Sequence, residues 1–141
     1  MLLAPNAVAL DSNAVRAALR RDVDLLLLLA GQELCIPCVV LNEAVSGWQD
    51  LIGRSLRQQY EHRLAEALDR MVEFHELVRE MAILRYSPDA QRLFVSLRAG
   101  RGSRGRNDLR IAAICIAHSV PLVTRNLSDF DDLPGLILRT W

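Results

Sequence analysis

The chain has 141 residues, enough for a single domain with a buried core, which we expect to span residues 1–141. Hydrophobic residues make up 51% and charged residues 24%, as is typical of a soluble globular protein. The apolar runs are too short for a membrane span of ~20 residues, and we expect no signal peptide. The net charge of zero excludes a global field that attracts nucleic acid. Three cysteines fit a reducing cytoplasm better than a disulfide framework.

Short apolar strands alternate with helices along the chain. In chain order we predict a strand at 7–10, a helix at 14–29 with a break near 21, a strand at 33–36, a helix from 37 to about 51 and an amphipathic helix at 54–76. A strand at 81–86, a helix from 88 to about 97, a buried helix at 109–118, and strands at 121–124 and 136–139 follow. Ser87 and Asn107 are suitable helix caps, and Pro37 suits a first helical turn.

This alternation predicts an α/β fold, with a central parallel sheet of about five strands and helices on both faces. Catalytic groups in such folds lie at the C-terminal ends of strands and at the N-termini of the helices that follow. Carboxylates with apolar neighbours occupy four such positions, at Asp11, Glu43, Asp108 and Asp129. Taken singly, each is explained as a helix-start or turn residue.

Taken together, the four acids indicate a metal site. If they converge on one edge of the sheet, they repel one another, and burying them is costly unless a cation neutralises them. Carboxylates are hard oxygen ligands, which favours Mg²⁺ or Mn²⁺ over Zn²⁺. A carboxylate-bound Mg²⁺ that retains water is suited to phosphate chemistry.

Four motifs follow one another in order, distributed over nearly the whole chain: LDSN at 10–13, VVLNE at 39–43, NDLRIAA at 107–113 and LVTRNLSDF at 122–130. They resemble motifs of the PIN domain family, in particular its VapC-type toxin ribonucleases. The resemblance implies a three-layer α/β/α fold. It also implies an endoribonuclease that depends on Mg²⁺ or Mn²⁺, hydrolyses RNA phosphodiester bonds with a metal-activated water, and is held inactive by a small antitoxin protein.

The same resemblance gives roles to individual residues. It makes catalytic and metal-binding acids of Asp11, Glu43, Asp108 and Asp129. It implies polar supports around the metal at Asn13, Thr124 and Asn126. Asn126 stands where many relatives have an aspartate, which would lower the negative charge of the site.

Arginines cluster around the third acid, in a chain whose 17 basic residues are all arginine. Phosphate contacts of this kind position RNA without reading its sequence. We predict such contacts for Arg101, Arg104, Arg106, Arg110 and Arg125. The alternative is a solvated loop without a partner.

Other functions remain open from the sequence. Cys35 and Cys38 form a C-x-x-C unit at a strand–helix junction, where a helix dipole would lower a thiol pKa, as in thioredoxin-like oxidoreductases. The mainly helical sequence at 54–119 does not suit that fold, so we interpret both cysteines as buried hydrophobes. An RNA-processing PIN nuclease without an antitoxin and a catalytically silent binding module are further alternatives. We expect a homodimer, and helix 54–76 is a candidate surface for it or for a partner helix.

Overall fold

The computed structural model describes residues 2–101 and 105–141. Five parallel strands form the sheet: β1 (Ala7–Leu10), β2 (Glu33–Pro37), β3 (Ala82–Leu84), β4 (Leu122–Val123) and β5 (Leu138–Arg139). The helices are α1 (Ser12–Leu19), α2 (Val23–Leu29), α3 (Cys38–Arg57), α4 (Glu61–Arg79), α5 (Pro88–Arg98), α6 (Arg106–Ala117) and α7 (Leu127–Phe130). The predicted α/β class, the order of elements and the break between the first two helices are confirmed.

The strands lie in the order β3-β2-β1-β4-β5, so β1 occupies the middle of the sheet. Ala9 of β1 pairs with Cys35 of β2 on one side and with Leu122 of β4 on the other. Every residue of β1 is at most 5% exposed, because both faces of the sheet are covered, as the expected α/β/α layering requires. The chain leaves β1 in one direction and returns on its other side at β4, which places a topological switch point between these two strands.

Helix α6 forms the centre of the core beside the sheet. Leu109 and residues 111–115 are all at most 3% exposed, which confirms the buried helix expected from its nearly continuous apolar sequence. It packs against α5, α7 and β2. Among the described residues, none of the helices combines the length and the apolar character needed to cross a membrane.

The boundary between α3 and α4 differs from the prediction. We predicted a helix ending near residue 51 and another beginning at 54, but α3 continues through Gly53 to Arg57. The chain turns instead at Gln59, which has a left-handed φ of 55°. The backbone N–H of Tyr60 then donates to the carbonyl of Ser55 at 3.1 Å, which closes the end of the helix. Many such turns contain a glycine, and because this one does not, the sequence did not indicate where α3 ends.

Two predicted helix starts are also corrected. Helix α6 begins at Arg106, and Gly105 rather than Asn107 occupies its N-cap position. Asn107 lies within the helix, where its side chain accepts a hydrogen bond from Arg110 at 3.2 Å. Pro37 is the last residue of β2 and the N-cap of α3, one position before the first helical turn. Ser87 caps α5 as predicted, since its hydroxyl accepts the N–H of Ala90 at 3.2 Å.

The burial of a core side chain predicts how much stability is lost when that side chain is truncated. Ile114 on α6 is fully buried, so Ile114→Ala should lower the free energy of unfolding by about 2–5 kcal/mol. Val95→Ala on the exposed side of α5 is the matched control, because that side chain is 54% exposed and its truncation should change stability by less than about 0.5 kcal/mol. Urea denaturation of both variants measures this, and equal losses would contradict the assigned burial.

Candidate active site

Asp11 is fixed through both of its carboxylate oxygens at the C-terminal end of the central strand. It directly follows β1 and caps α1, where Oδ1 accepts the backbone N–H of Ala14 at 2.8 Å. Oδ2 accepts a short hydrogen bond from the hydroxyl of Thr124, which follows β4. The residue is only 4% exposed. The sheet therefore buries a carboxylate at its switch point and holds it in one orientation.

Burial raises the pKa of Asp11 above its ordinary value, because the charged form loses its water. The hydrogen bonds from Thr124 and from the backbone N–H groups of Ala14 and Asn13 act in the opposite direction, as does the charge of Arg16, without cancelling the effect of burial. Asn13 thus supports the acid through its backbone. A nearby cation would lower the free-energy cost of burying the charged carboxylate of Asp11.

Thr124 connects three parts of the site and is fully buried. Its backbone N–H donates to the carbonyl of Arg139 at 2.9 Å, which extends the pairing of β4 with β5. Its hydroxyl donates to Asp11 and accepts the backbone N–H of Asn126 at 3.0 Å. Asn126 itself is exposed, and it takes part in this network through its backbone N–H. The supporting position predicted for Thr124 is thus a direct contact with the acid.

Glu43 is linked to the segment that carries Asp11. It lies in the second turn of α3 and is half-buried. Its Oε2 accepts a hydrogen bond from the hydroxyl of Ser12 at 3.3 Å, and Ser12 is the first residue of α1. Ser12 was not among the site residues predicted from the sequence. The available signal was its hydroxyl next to Asp11 in the LDSN motif at 10–13.

Asp108 and Asp129 each lie in the first turn of a helix. Asp108 is half-buried in the first turn of α6, and its carboxylate covers Gly105 so closely that a Cβ there would lie 2.9 Å from Oδ2. Asp129 is half-buried in α7, where its N–H donates to the carbonyl of Asn126 at 3.1 Å. Within residues 2–101 and 105–141, no three Asp, Glu, His or Cys side chains are grouped closely enough to share a metal ion. The structure thus joins Asp11 to Thr124 and Glu43 to Ser12, but it does not gather all four acids.

The donor chemistry at this edge suits a hard cation. Asp11 and Glu43 offer carboxylate oxygens, and Ser12 and Thr124 contribute hydroxyls. Cys115 lies near enough to Asp11 for the carboxylate to influence it, but burial raises the pKa of this thiol far above its ordinary value, so it stays protonated. Oxygen donors without a thiolate fit Mg²⁺ or Mn²⁺ rather than Zn²⁺.

A cleft of about 810 Å³ opens beside these residues, between α1, α3 and α4. Ser12 and Glu43 form part of its wall. Apolar side chains line much of its surface, namely Val15, Val40, Trp48, Leu51 and Phe74. Charges of both signs surround them, including Arg16, Arg54, Glu66 and Asp69.

The predicted arginine contacts have different surroundings. Arg101 donates from Nη1 to the carbonyl of Leu97 at 2.6 Å and from Nη2 to that of Asp132 at 3.4 Å, which is a structural role. Arg110 stacks on Phe94, with its guanidinium carbon 4.5 Å from the ring centroid. Arg106 is exposed at the start of α6. Arg125 contacts Trp141, and Arg104 lies outside the described residues.

The cysteines do not have the properties of a redox dithiol. Cys35, Cys38 and Cys115 are free, and Cys35 is fully buried in β2. Burial raises the pKa of Cys35 to about 11, opposite to the lowered value that a nucleophilic thiol requires. The structure therefore argues against the thiol-disulfide oxidoreductase alternative.

The raised pKa of Asp11 predicts how stability depends on pH. The folded state holds this proton more tightly than the unfolded state, so the group favours folding below the ordinary carboxyl pKa, and that contribution is lost as the pH rises through the raised pKa. Asp11→Asn should therefore be more stable than the unsubstituted chain at neutral pH. The difference should shrink as the pH falls toward about 4.

Urea denaturation in EDTA between about pH 4 and about pH 7 measures this difference. Asp50→Asn on the exposed surface of α3 is the matched control and should show no such trend. A loss of stability in Asp11→Asn that is the same at every pH would contradict the assigned cause.

Comparisons with known proteins place the chain in a family. The family model described as PIN domain matches residues 8–136. A stretch of 37 residues is 49% identical to Ribonuclease VapC2 of Rickettsia felis, and it covers 26% of this chain. The match spans 28% of the length of that curated relative.

Solved structures with the same fold include VapBC2 from Rickettsia felis bound to a DNA fragment from their promoter, at a TM-score of 0.76 and 24% identity, covering 96% of this chain and 98% of that one. VapBC-5 from Mycobacterium tuberculosis, a member of the VapBC family of toxin-antitoxin systems, has a TM-score of 0.64 at 23% identity, with coverage of 97% and 100%. At these identities the likeness concerns the fold. Since the family model covers most of the chain, this protein belongs to the PIN domain family.

Proposed function

We propose that this protein is a Mg²⁺- or Mn²⁺-dependent endoribonuclease and the toxin of a toxin–antitoxin pair. The observation that carries the proposal is the buried Asp11 carboxylate at the sheet's switch point, held by Thr124, in a PIN domain. The ribonuclease name of the Rickettsia felis relative supports RNA as the substrate. The cytoplasm is where such an enzyme meets its RNA, and the free cysteines are compatible with that location.

Asp11, Glu43, Asp108 and Asp129 are the proposed holders of the metal. A bound divalent cation would lower the pKa of a water molecule and polarise the scissile phosphate. Thr124 keeps Asp11 oriented toward the site, and Ser12 restrains Glu43. Burial of Asp11 keeps bulk water from competing for its oxygens. Arg106, which is exposed at the start of α6, is a proposed phosphate contact.

We propose the cleft between α1, α3 and α4 as the place where an antitoxin segment binds. Relatives with this fold include members of a toxin-antitoxin family. The apolar surface of the cleft with charges of both signs around it suits one face of an amphipathic helix. Because Ser12 and Glu43 form part of the same cleft, an occupant would cover one of the metal-binding acids. The homodimer expected from the sequence stays a prediction.

The catalytic role of the acids predicts a loss of activity without unfolding. Asp11→Asn or Asp108→Asn should lower the rate of metal-dependent cleavage of single-stranded RNA by more than about 100-fold, since removing one electrostatic contact of a transition state costs on the order of 10²–10³. Asp50→Asn is the matched control and should retain activity. Circular dichroism should show that all variants are folded. Cleavage that persists in excess EDTA would contradict the proposal.

The antitoxin proposal predicts which surface a partner needs. The product of a small reading frame next to the gene should bind the chain and inhibit it. Trp48→Ala in the cleft should weaken that binding about 30-fold, as expected when an interface loses an aromatic contact worth about 2 kcal/mol.

Val95→Ala, outside the cleft, is the control and should leave the affinity unchanged. Titration calorimetry measures both. An active nuclease whose neighbouring gene product does not bind it would favour the RNA-processing alternative, and a folded chain that binds RNA without cleaving it would favour the silent module.

A further inference from the structure

Arg125 makes its contacts with distant segments of the chain. Its Nε donates to the backbone oxygen of Trp141 at 3.3 Å, and its guanidinium carbon lies 4.7 Å from the centroid of the Trp141 ring. Its Nη2 lies 3.8 Å from Oδ2 of Asp22. We call Arg125, Trp141 and Asp22 the arginine clamp. It connects the turn after β4, the segment after β5 and the start of α2.

Asp22 is itself held in place. Its Oδ1 caps α2 by accepting the N–H of Leu25 at 3.1 Å, which leaves Oδ2 toward Arg125. The pKa of Asp22 lies below its ordinary value, chiefly because of that backbone hydrogen bond, with smaller contributions from Trp141 and Arg125. The indole nitrogen of Trp141 is buried, and no acceptor among the described residues meets hydrogen-bond geometry with it. The indole nevertheless lies close enough to Asp22 to lower the pKa of that carboxyl, and the guanidinium of Arg125 lies over its ring.

Arg125 lies next to the residues that hold the carboxylate of Asp11. Arg125 stands between Thr124, whose hydroxyl holds Asp11, and Asn126, whose N–H holds that hydroxyl. On the side of β5, the backbone N–H of Thr124 in this turn donates to the carbonyl of Arg139 at 2.9 Å. An arginine is suited to fix this turn from its other side, because its planar guanidinium stacks on an aromatic ring while its N–H groups donate to fixed acceptors.

We propose that Arg125 is a positioning residue: the arginine clamp fixes the turn at residues 124–126 and thereby the hydrogen bond from Thr124 to Asp11, and Arg125 does not bind RNA phosphate. This replaces the role suggested for Arg125 by the sequence. The kinetic consequences rest on the proposed nuclease function, whereas the clamp itself does not.

Kinetics and RNA binding separate the two roles of Arg125. Arg125→Ala should lower kcat about tenfold, the scale of losing an outer contact of a metal site, with KM changed by less than about twofold. In an Asp108→Asn background, its affinity for labelled single-stranded RNA and the salt dependence of that affinity should not change. A phosphate contact would instead weaken binding and make the slope of log K against log salt shallower by about 0.7. Arg106→Ala is the matched control, expected to show that shallower slope.

Substitutions of the partners test the clamp as a unit. Trp141→Ala and Asp22→Asn should each reproduce the loss in kcat, and neither should add to the effect of Arg125→Ala. Trp141→Phe keeps an aromatic face under the guanidinium and should retain kcat within about twofold. Full additivity of the three substitutions, or a Trp141→Ala variant with unchanged kcat, would overturn the proposal.

Fluorescence tests the clamp without any activity. The sequence has two tryptophans, so Trp48→Phe makes Trp141 the reporter. Arg125→Ala in that background should shift the emission of Trp141 to longer wavelength and increase its quenching by acrylamide, and Arg125→Lys should do so to a smaller extent. Unchanged emission and quenching would overturn the clamp. If the unsubstituted chain does not cleave RNA, the proposed function is wrong, but this measurement still shows whether Arg125 holds Trp141 in the clamp.

Discussion

The hydrogen bond from Thr124 to Asp11 is the contact on which the candidate site depends. It joins the ends of β1 and β4 across the point where the strand order reverses, and there it stabilises the charged form of a carboxylate that burial destabilises. The other oxygen of Asp11 caps α1, the helix whose first residue, Ser12, holds Glu43. One buried acid thus orients a strand end, a helix and a second acid.

The sequence was sufficient for the α/β class, the order of elements and the acid at the end of the first strand, because hydrophobic periodicity and capping residues act locally. It was insufficient where the fold brings distant segments together. Ser12 and the arginine clamp depend on contacts between segments that lie far apart along the chain, which no spacing encodes. The predicted boundary between α3 and α4 was wrong for another reason, since Gln59 adopts a left-handed conformation that is usually found at glycine.

The arginines show how composition overstates the charge available to a ligand. Arg101 donates to backbone carbonyls, Arg110 covers Phe94, and Arg125 covers Trp141. In each case the flat guanidinium does structural work that a lysine ammonium cannot reproduce, because it stacks and donates in fixed directions. This chain, which has no lysine, therefore uses some of its arginines to hold parts of its own fold together.

The distance along the chain between Thr124 and Asp11, 113 residues, has a consequence for synthesis. At roughly 5–20 residues per second, about 6–23 s separate the two residues as the chain is made. During that interval β1 lacks its β4 neighbour, and Asp11 lacks the hydroxyl that orients it. A growing chain that has not yet reached β4 is thus without the hydrogen bond that orients Asp11.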